Sequence, residues 1–202
     1  MSLIDFRALI PFALITIFTP GPGNLTSASM GINFGIKKTM YFLYGIFLGF
    51  FILMLFSGFF SNLLFVIFPS IEPIMRWVGA MYIFYLAFST FKTTLSLEKN
   101  KNSSVLGFYN GLLLQLSNPK GIIFCLTLFS TLLRPIIDNF LFIIIFSLSL
   151  ALLVFSSILT WTLFGAIINQ YLRNKNVKII TSSIFSLLLI FTALNIIGFF
   201  SN

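Results

Sequence analysis

Three features of the sequence predict an all-α integral membrane protein of six transmembrane helices, arranged as two inverted halves of three. Apolar residues fill 58% of the 202 positions and charged residues only 8%, against roughly a quarter charged in soluble domains. Six apolar runs reach the length of about 20 residues that a helix needs to cross a hydrocarbon core of about 30 Å. Two proline- and glycine-rich breaks fall inside the first and fourth of these runs.

The first run covers about 8–36 and holds the break Thr19-Pro20-Gly21-Pro22-Gly23-Asn24. Its two pieces, 8–18 and 24–36, span about 16 and 20 Å at 1.5 Å per residue, which puts the break near mid-bilayer. The run has no basic leader, since Asp5 precedes Arg7, and it continues past the break, so it is expected to be retained rather than cleaved. The second and third runs cover about 40–68 and 71–91. A connection from Lys92 to Ser104, rich in Lys, Asn and Ser, separates them from the fourth run, about 105–133, which carries the second break, Ser117-Asn118-Pro119-Lys120-Gly121. The fifth and sixth cover about 139–169 and 179–200. All exceed the roughly 9–11 residues of a membrane β-strand and none alternates apolar with polar.

The connections carry the orientation. Lys37, Lys38, Lys92, Lys99, Lys101, Arg173, Lys175 and Lys178 lie in the first, third and fifth, whereas Arg7, Arg76 and Arg134 fall on the other side. The excess places the first group in the cytoplasm and both termini outside. A net charge of +8 dispersed in this way is no nucleic-acid surface, which needs a soluble basic face.

A shift of 99 residues lays Thr19-Pro20-Gly21 on Asn118-Pro119-Lys120 and the second run on the fifth. The chain therefore reads as one membrane domain, 1–202, with a first repeat at about 1–91, a linker at 92–104 and a second repeat at about 105–202. Three helices per half force the second copy to enter the bilayer from the opposite side, as in many secondary transporters.

Helix breaks at bilayer depth are tolerated where the freed backbone is buried in protein or lines a polar cavity. The segment after each break offers unpaired N–H groups and a positive dipole end, and the segment before it offers carbonyls. The amides near Gly23, Asn24 and Gly121 would hold a carboxylate, and the carbonyls around Phe18 and Leu116 an ammonium. Pro20, Pro22 and Pro119 free carbonyls by lacking a donor. Helical spacing puts Asn24, Ser27 and Gly31 on one face, and Gly111, Gln115 and Asn118 on another, and these faces are expected to meet. The candidate substrate and coupling residues are thus Pro20, Gly21, Pro22, Gly23, Asn24, Gln115, Asn118, Pro119 and Lys120.

Lys120 is the one charge near the midplane, where placing it costs at least about 2.5 kcal/mol. Asp5, Glu72, Glu98 and Asp138 all sit at run ends, so its expected partners are carbonyls, water or an anionic group on the substrate. It is also a candidate proton carrier. The alternative is a tether that binds the carbonyl end of the first half-helix and stabilises the break. Glycines four apart, Gly31/Gly35, Gly45/Gly49 and Gly107/Gly111, predict close helix approach within the protein, with a homodimer contact as the other use. Trp161 is assigned no special role. No cofactor or metal is called for: there is no histidine, and Cys125 is the single cysteine, read as a small packing residue.

Thr19-Pro20-Gly21-Pro22-Gly23-Asn24-Leu25 with Gly31, Gly35 and Lys37-Lys38 resembles the first motif of the LysE/RhtB amino-acid exporter family. Gln115-Leu116-Ser117-Asn118-Pro119-Lys120 resembles its second. Within the family, Trp77-Val78-Gly79-Ala80-Met81-Tyr82-Ile83 and Leu128-Phe129-Ser130-Thr131 look most similar to the cysteine and O-acetylserine exporters. Many members carry Asp or Asn where this chain has Gly23, which shifts any role of that side chain to Asn24 or Lys120. The resemblance implies proton-motive-force-driven efflux of amino acids or related metabolites across a bacterial inner membrane.

The expected function is export of a small neutral amino acid of the cysteine, O-acetylserine, threonine or homoserine kind. Other small solutes and cationic amino acids are the alternative, disfavoured because the core offers no carboxylate. An intramembrane enzyme would need His, Asp, Glu or Cys within mutual reach, and none are assembled. A channel or structural subunit would show unsaturable flux or none.

Overall fold

The computed structural model describes residues 4, 6–60, 70, 77, 80–81, 83–85, 87–88, 105–133, 139–171 and 175–196. The expected linker 92–104, most of the third run, the 134–138 connection and all four carboxylates lie outside these residues. Everything regular within them is helical. The elements are α1 (Phe6–Phe18), α2 (Pro22–Phe59), α3 (Phe108–Leu116), α4 (Pro119–Thr127) running into a π-helical turn (Leu128–Leu132), α5 (Phe140–Tyr171) and α6 (Lys175–Ile196). In the third run, Ala80, Ile83 and Ala87 are helical and buried, three and four residues apart as one packed helix face requires.

Both expected breaks are present and share a construction. Thr19 turns its N–H and hydroxyl back to the Ile15 carbonyl, and Ser117 does the same to Leu113, closing α1 and α3. Gly21 then starts α2 in extended backbone with Pro22 as first helical residue, and Asn118 starts α4 with Pro119 in that place. A proline suits the first helical position because its missing N–H would be unpaired there anyway. In this role Pro22, rather than the Pro20 that the shift of 99 selects, is the counterpart of Pro119. Pro20 lies exposed in the connection.

The junction of the first two runs differs from expectation. No loop surrounds Lys37 and Lys38. The chain reverses at Gly35, whose φ of 73° and ψ of 176° interrupt α2. A straight helix would hold Gly23 and Ile46 about 34 Å apart, yet Ile46 Cδ1 lies 3.9 Å from where a Cβ on Gly23 would stand. The two arms, 22–34 and 36–59, therefore pack side by side, with Lys37 and Lys38 exposed at the bend and Thr39 Oγ1 donating to the Gly35 carbonyl at 2.8 Å. Only glycine adopts this backbone readily. A Cβ there would meet nothing within 4 Å, so Gly35→Ala is expected to destabilise by backbone strain alone, about 1–3 kcal/mol. Thermal unfolding in detergent checks this, and an unchanged melting temperature would refute the hinge.

The core forms along α2, which packs chiefly against α5 and α3. Phe42, Leu43, Ile46 and Met54 are fully buried against Leu114, Phe129 and Ile143, and Cys125 is buried among them. Backbones meet at glycines. A Cβ on Gly45 would overlap the Phe108 carbonyl, and one on Gly111 that of Phe42. Gly31 and Gly165 approach the backbones of Thr162 and Ala28 in the same way. The packing expected of the glycine pairs thus holds at Gly31, Gly45, Gly49 and Gly111, while Gly35 is the hinge and Gly107 faces open space.

Large apolar side chains also cover the outside, including Ile15, Tyr41, Tyr109, Phe140, Phe164 and Leu187. Phe140–Ile167 is long and apolar enough to cross a membrane, and the second arm of α2, 36–59, is so by length. A surface of this kind suits hydrocarbon, since soluble monomers rarely expose large continuous apolar areas.

Candidate functional site

The two breaks meet around a cavity of about 60 Å³, room for a few water molecules. Of the residues singled out by sequence, Gly21, Gly23, Asn24, Gln115, Asn118 and Lys120 line it. Pro20, Pro22 and Pro119 do not. The prolines shape the breaks without facing the space. The rest of the wall is mostly apolar and comes from α1, the second arm of α2, α4 and α5, with Thr16 and Ile17, Ile46 and Phe50, Phe124, and Val154 and Ile158 respectively, besides Gly121. Phe124 stacks on Phe12 at 5.5 Å and meets Phe50 at 6.0 Å between ring centres, which ties α1, α2 and α4 together at this level.

The positive side of the cavity is made of helix starts. Asn118 Oδ1 accepts from the Lys120 amide at 3.2 Å and caps α4. The amides of Gly23, Asn24 and Gly121 reach no backbone carbonyl among the described residues, and all three residues line the space. Gln115 is buried, and its side-chain amide makes no hydrogen bond among the described residues. A Cβ on Gly121 would stand 2.6 Å from Gln115 Nε2, so glycine there lets the amide lie against the start of α4. Two helix N-termini and an uncommitted amide thus converge on one small space, an arrangement that favours an anionic group.

The negative side is the carbonyl end of α1, and it is more fully occupied than the sequence suggests. Asn24 Nδ2 donates to the Ile17 carbonyl at 2.9 Å and to that of Thr19 at 3.0 Å. Ser157 Oγ donates to Ile17 at 3.0 Å and lies 3.4 Å from Asn24 Oδ1. Trp161 Nε1 donates to the Phe18 carbonyl at 3.3 Å, and Lys120 Nζ to that of Thr19 at 3.0 Å. The Phe18 carbonyl expected to receive an ammonium is therefore taken by an indole. That follows from Pro22, which lacks the N–H that would have reached Phe18 in a continuous helix.

Lys120 spans the two breaks with its side chain laid across Gly21, where a Cβ would come within 3.2 Å of Lys120 Cδ. The tether expected as its alternative role is geometrically present. Ser157 and Trp161 were not singled out by sequence. They are one helical turn apart and share a face, but Ser147, Ser149, Ser156, Thr160 and Thr162 in the same run leave no signal in the sequence that selects them. The two polar faces expected to meet do so through Asn24, Gln115 and Asn118 only. Gly31 turns to α5, Gly111 turns to α2, and Ser27 is buried without a hydrogen-bond partner.

A family model described as LysE type translocator matches residues 14–198. The chain is 31% identical over 196 residues to a cysteine/O-acetylserine efflux protein of Salmonella typhimurium, with 97% of this chain and 99% of that protein covered. It is 30% identical over 200 residues to one of Shigella flexneri, with the same coverage. It is 31% identical over 189 residues to one of Escherichia coli O139:H28, covering 92% and 93%. No solved structure matches it significantly.

Proposed function

The chain belongs to the LysE type translocator family, and we propose that it exports a small neutral amino acid, of the cysteine or O-acetylserine kind, bound between its two broken helices. The observation that carries this reading is the convergence of the α2 and α4 starts with the uncommitted Gln115 amide on one small cavity with an apolar wall. The substrate carboxylate takes the amides of Gly23, Asn24 and Gly121, aided by Gln115. A short side chain takes the wall of Ile46, Phe50 and Phe124. The cavity's small size argues for a small solute.

The protein sits in the bacterial inner membrane as six helices in an inverted repeat of three and three, with both termini outside, as the lysine distribution supports. Rocking of one half against the other exposes the site alternately to the two sides, driven by the proton motive force.

The test is counterflow and pH-gradient-driven flux of labelled cysteine and O-acetylserine in proteoliposomes. Saturable counterflow is expected, with Gln115→Leu lowering the rate at least about tenfold through loss of hydrogen bonds to a charged group. If no amino acid moves or competes, the exporter reading fails.

A further inference from the structure

The carbonyls of Ile17, Phe18 and Thr19 at the end of α1 each have a donor, but the donors differ in kind. Ile17 is served by the buried Asn24 and Ser157, and Phe18 by the rigid indole of Trp161. Thr19 alone receives a cation, the Lys120 ammonium, at the end of a flexible four-carbon stem that is only half-buried. That ammonium reaches the carbonyl through the edge of the cavity where the substrate would lie, since both Lys120 and Gly21 line it. Gly21 makes the passage open. Its backbone is extended and accessible to any residue, but a Cβ would stand 3.2 Å from Lys120 Cδ and 3.3 Å from Nζ.

An amino acid brings an ammonium of the same charge and the same donor geometry, together with a carboxylate. The carboxylate's place, the start of α4, is where Lys120 itself is rooted. We propose that Lys120 is a tethered stand-in for the substrate's α-ammonium: it holds the Thr19 carbonyl in the empty carrier and is displaced from it when the substrate binds. The freed lysine then faces the incoming carboxylate, and because the zwitterion is neutral the net charge of the site is the same in both states. The proposal rests on the amino-acid reading of this cavity and specifies how that site recognises its ligand.

The exchange has a signature that a purely structural tether lacks. If the ligand ammonium only replaces another ammonium, it adds little affinity in the wild type and much more once the lysine is gone. The experiment compares binding of cysteine, under reductant, with its desamino analogue mercaptopropionate, which keeps the thiol and the carboxylate. Lys120→Met removes the competitor, and Gly21→Ala leaves the charge but crowds its seat with a methyl group that the flexible side chain can evade. In the wild type the two ligands are expected to bind within about threefold of each other. In Lys120→Met the preference for cysteine should grow at least about tenfold, the worth of a charge-assisted hydrogen bond, and in Gly21→Ala it should grow in the same direction by less.

Loss of the lysine charge by itself disfavours the anionic desamino ligand relative to the zwitterion, so the change in Gly21→Ala, which keeps that charge, separates the exchange from a charge effect. An unchanged ratio in the variants, with the wild type binding both ligands, overturns the exchange and leaves the site assignment standing. A wild type that binds neither ligand overturns the site assignment and the exchange with it. Should Lys120→Met fail to fold, the ratio in Gly21→Ala decides by the same criterion.

Discussion

Gly111→Ala is expected to take away a large share of the protein's stability. The added methyl would overlap the Phe42 carbonyl, and the next atoms in its way are backbone as well, including the Ile46 nitrogen. Side chains can rotate out of a clash, but helix backbone cannot, so α3 and the second arm of α2 would have to separate. Gly45 stands in the reciprocal position against Phe108 and Leu112, which leaves no compensating shift along the seam. The cost lies at the top of the overpacking range, about 3 kcal/mol, a large share of the roughly 5–15 kcal/mol that holds a protein folded. Gln115 sits one turn beyond Gly111 and would leave the cavity with the helix. Gly107→Ala is the control, because nothing lies within 4 Å of its added methyl, and it should cost no more than about 1 kcal/mol as a helix cap. Yield of monodisperse protein and melting temperature in detergent give the comparison. Equal behaviour of the two variants would refute backbone contact at Gly111.

Asn24→Asp is expected to abolish transport, and Asn24→Ala to lower it at least about tenfold while sparing the fold. The Asn24 amide bridges the carbonyls of Ile17 and Thr19, which sets the distance between the end of α1 and the start of α2. In the alanine variant each carbonyl keeps a second donor, Ser157 for Ile17 and Lys120 for Thr19. Neither acceptor is orphaned, so the loss is one of orientation. An aspartate of the same size would turn a carboxylate oxygen on the same two carbonyls, with no donor to offer and a negative charge to repel them. Counterflow rates normalised to folded protein distinguish these outcomes. If the aspartate variant transports better than the alanine variant, the bridging role assigned to Asn24 is wrong.

Much of the site was legible in the chain because broken helices declare themselves locally. A proline removes a donor at a known position, Asn is a strong helix cap, and a lysine in an apolar run needs partners. Asn24, Gln115, Asn118 and Lys120 followed from such rules, and all four line the cavity. Pro20 illustrates the limit. It matches Pro119 by sequence shift, yet Pro22 occupies the equivalent backbone position, because two prolines two residues apart offer two ways to start the same helix and only packing selects one. Gly35 shows it again, since a glycine in a pair spaced four apart reads as a packing surface until its φ is known.

The sequence by itself determined the class of the protein, its two breaks and the residue types that face them, because these depend on composition, on helical period and on the missing N–H of proline. Only the tertiary structure decided which groups satisfy the carbonyls at the end of α1. Ser157 and Trp161 reach them from α5, 140 and 143 residues away in sequence, and Lys120 reaches across the two breaks. Any buried carbonyl must find a donor, but the chain does not state which one. The choice is made where backbones touch, at Gly31 against Thr162 and Gly165 against Ala28, because the absence of a side chain there brings α5 close enough for its serine and indole to reach the break.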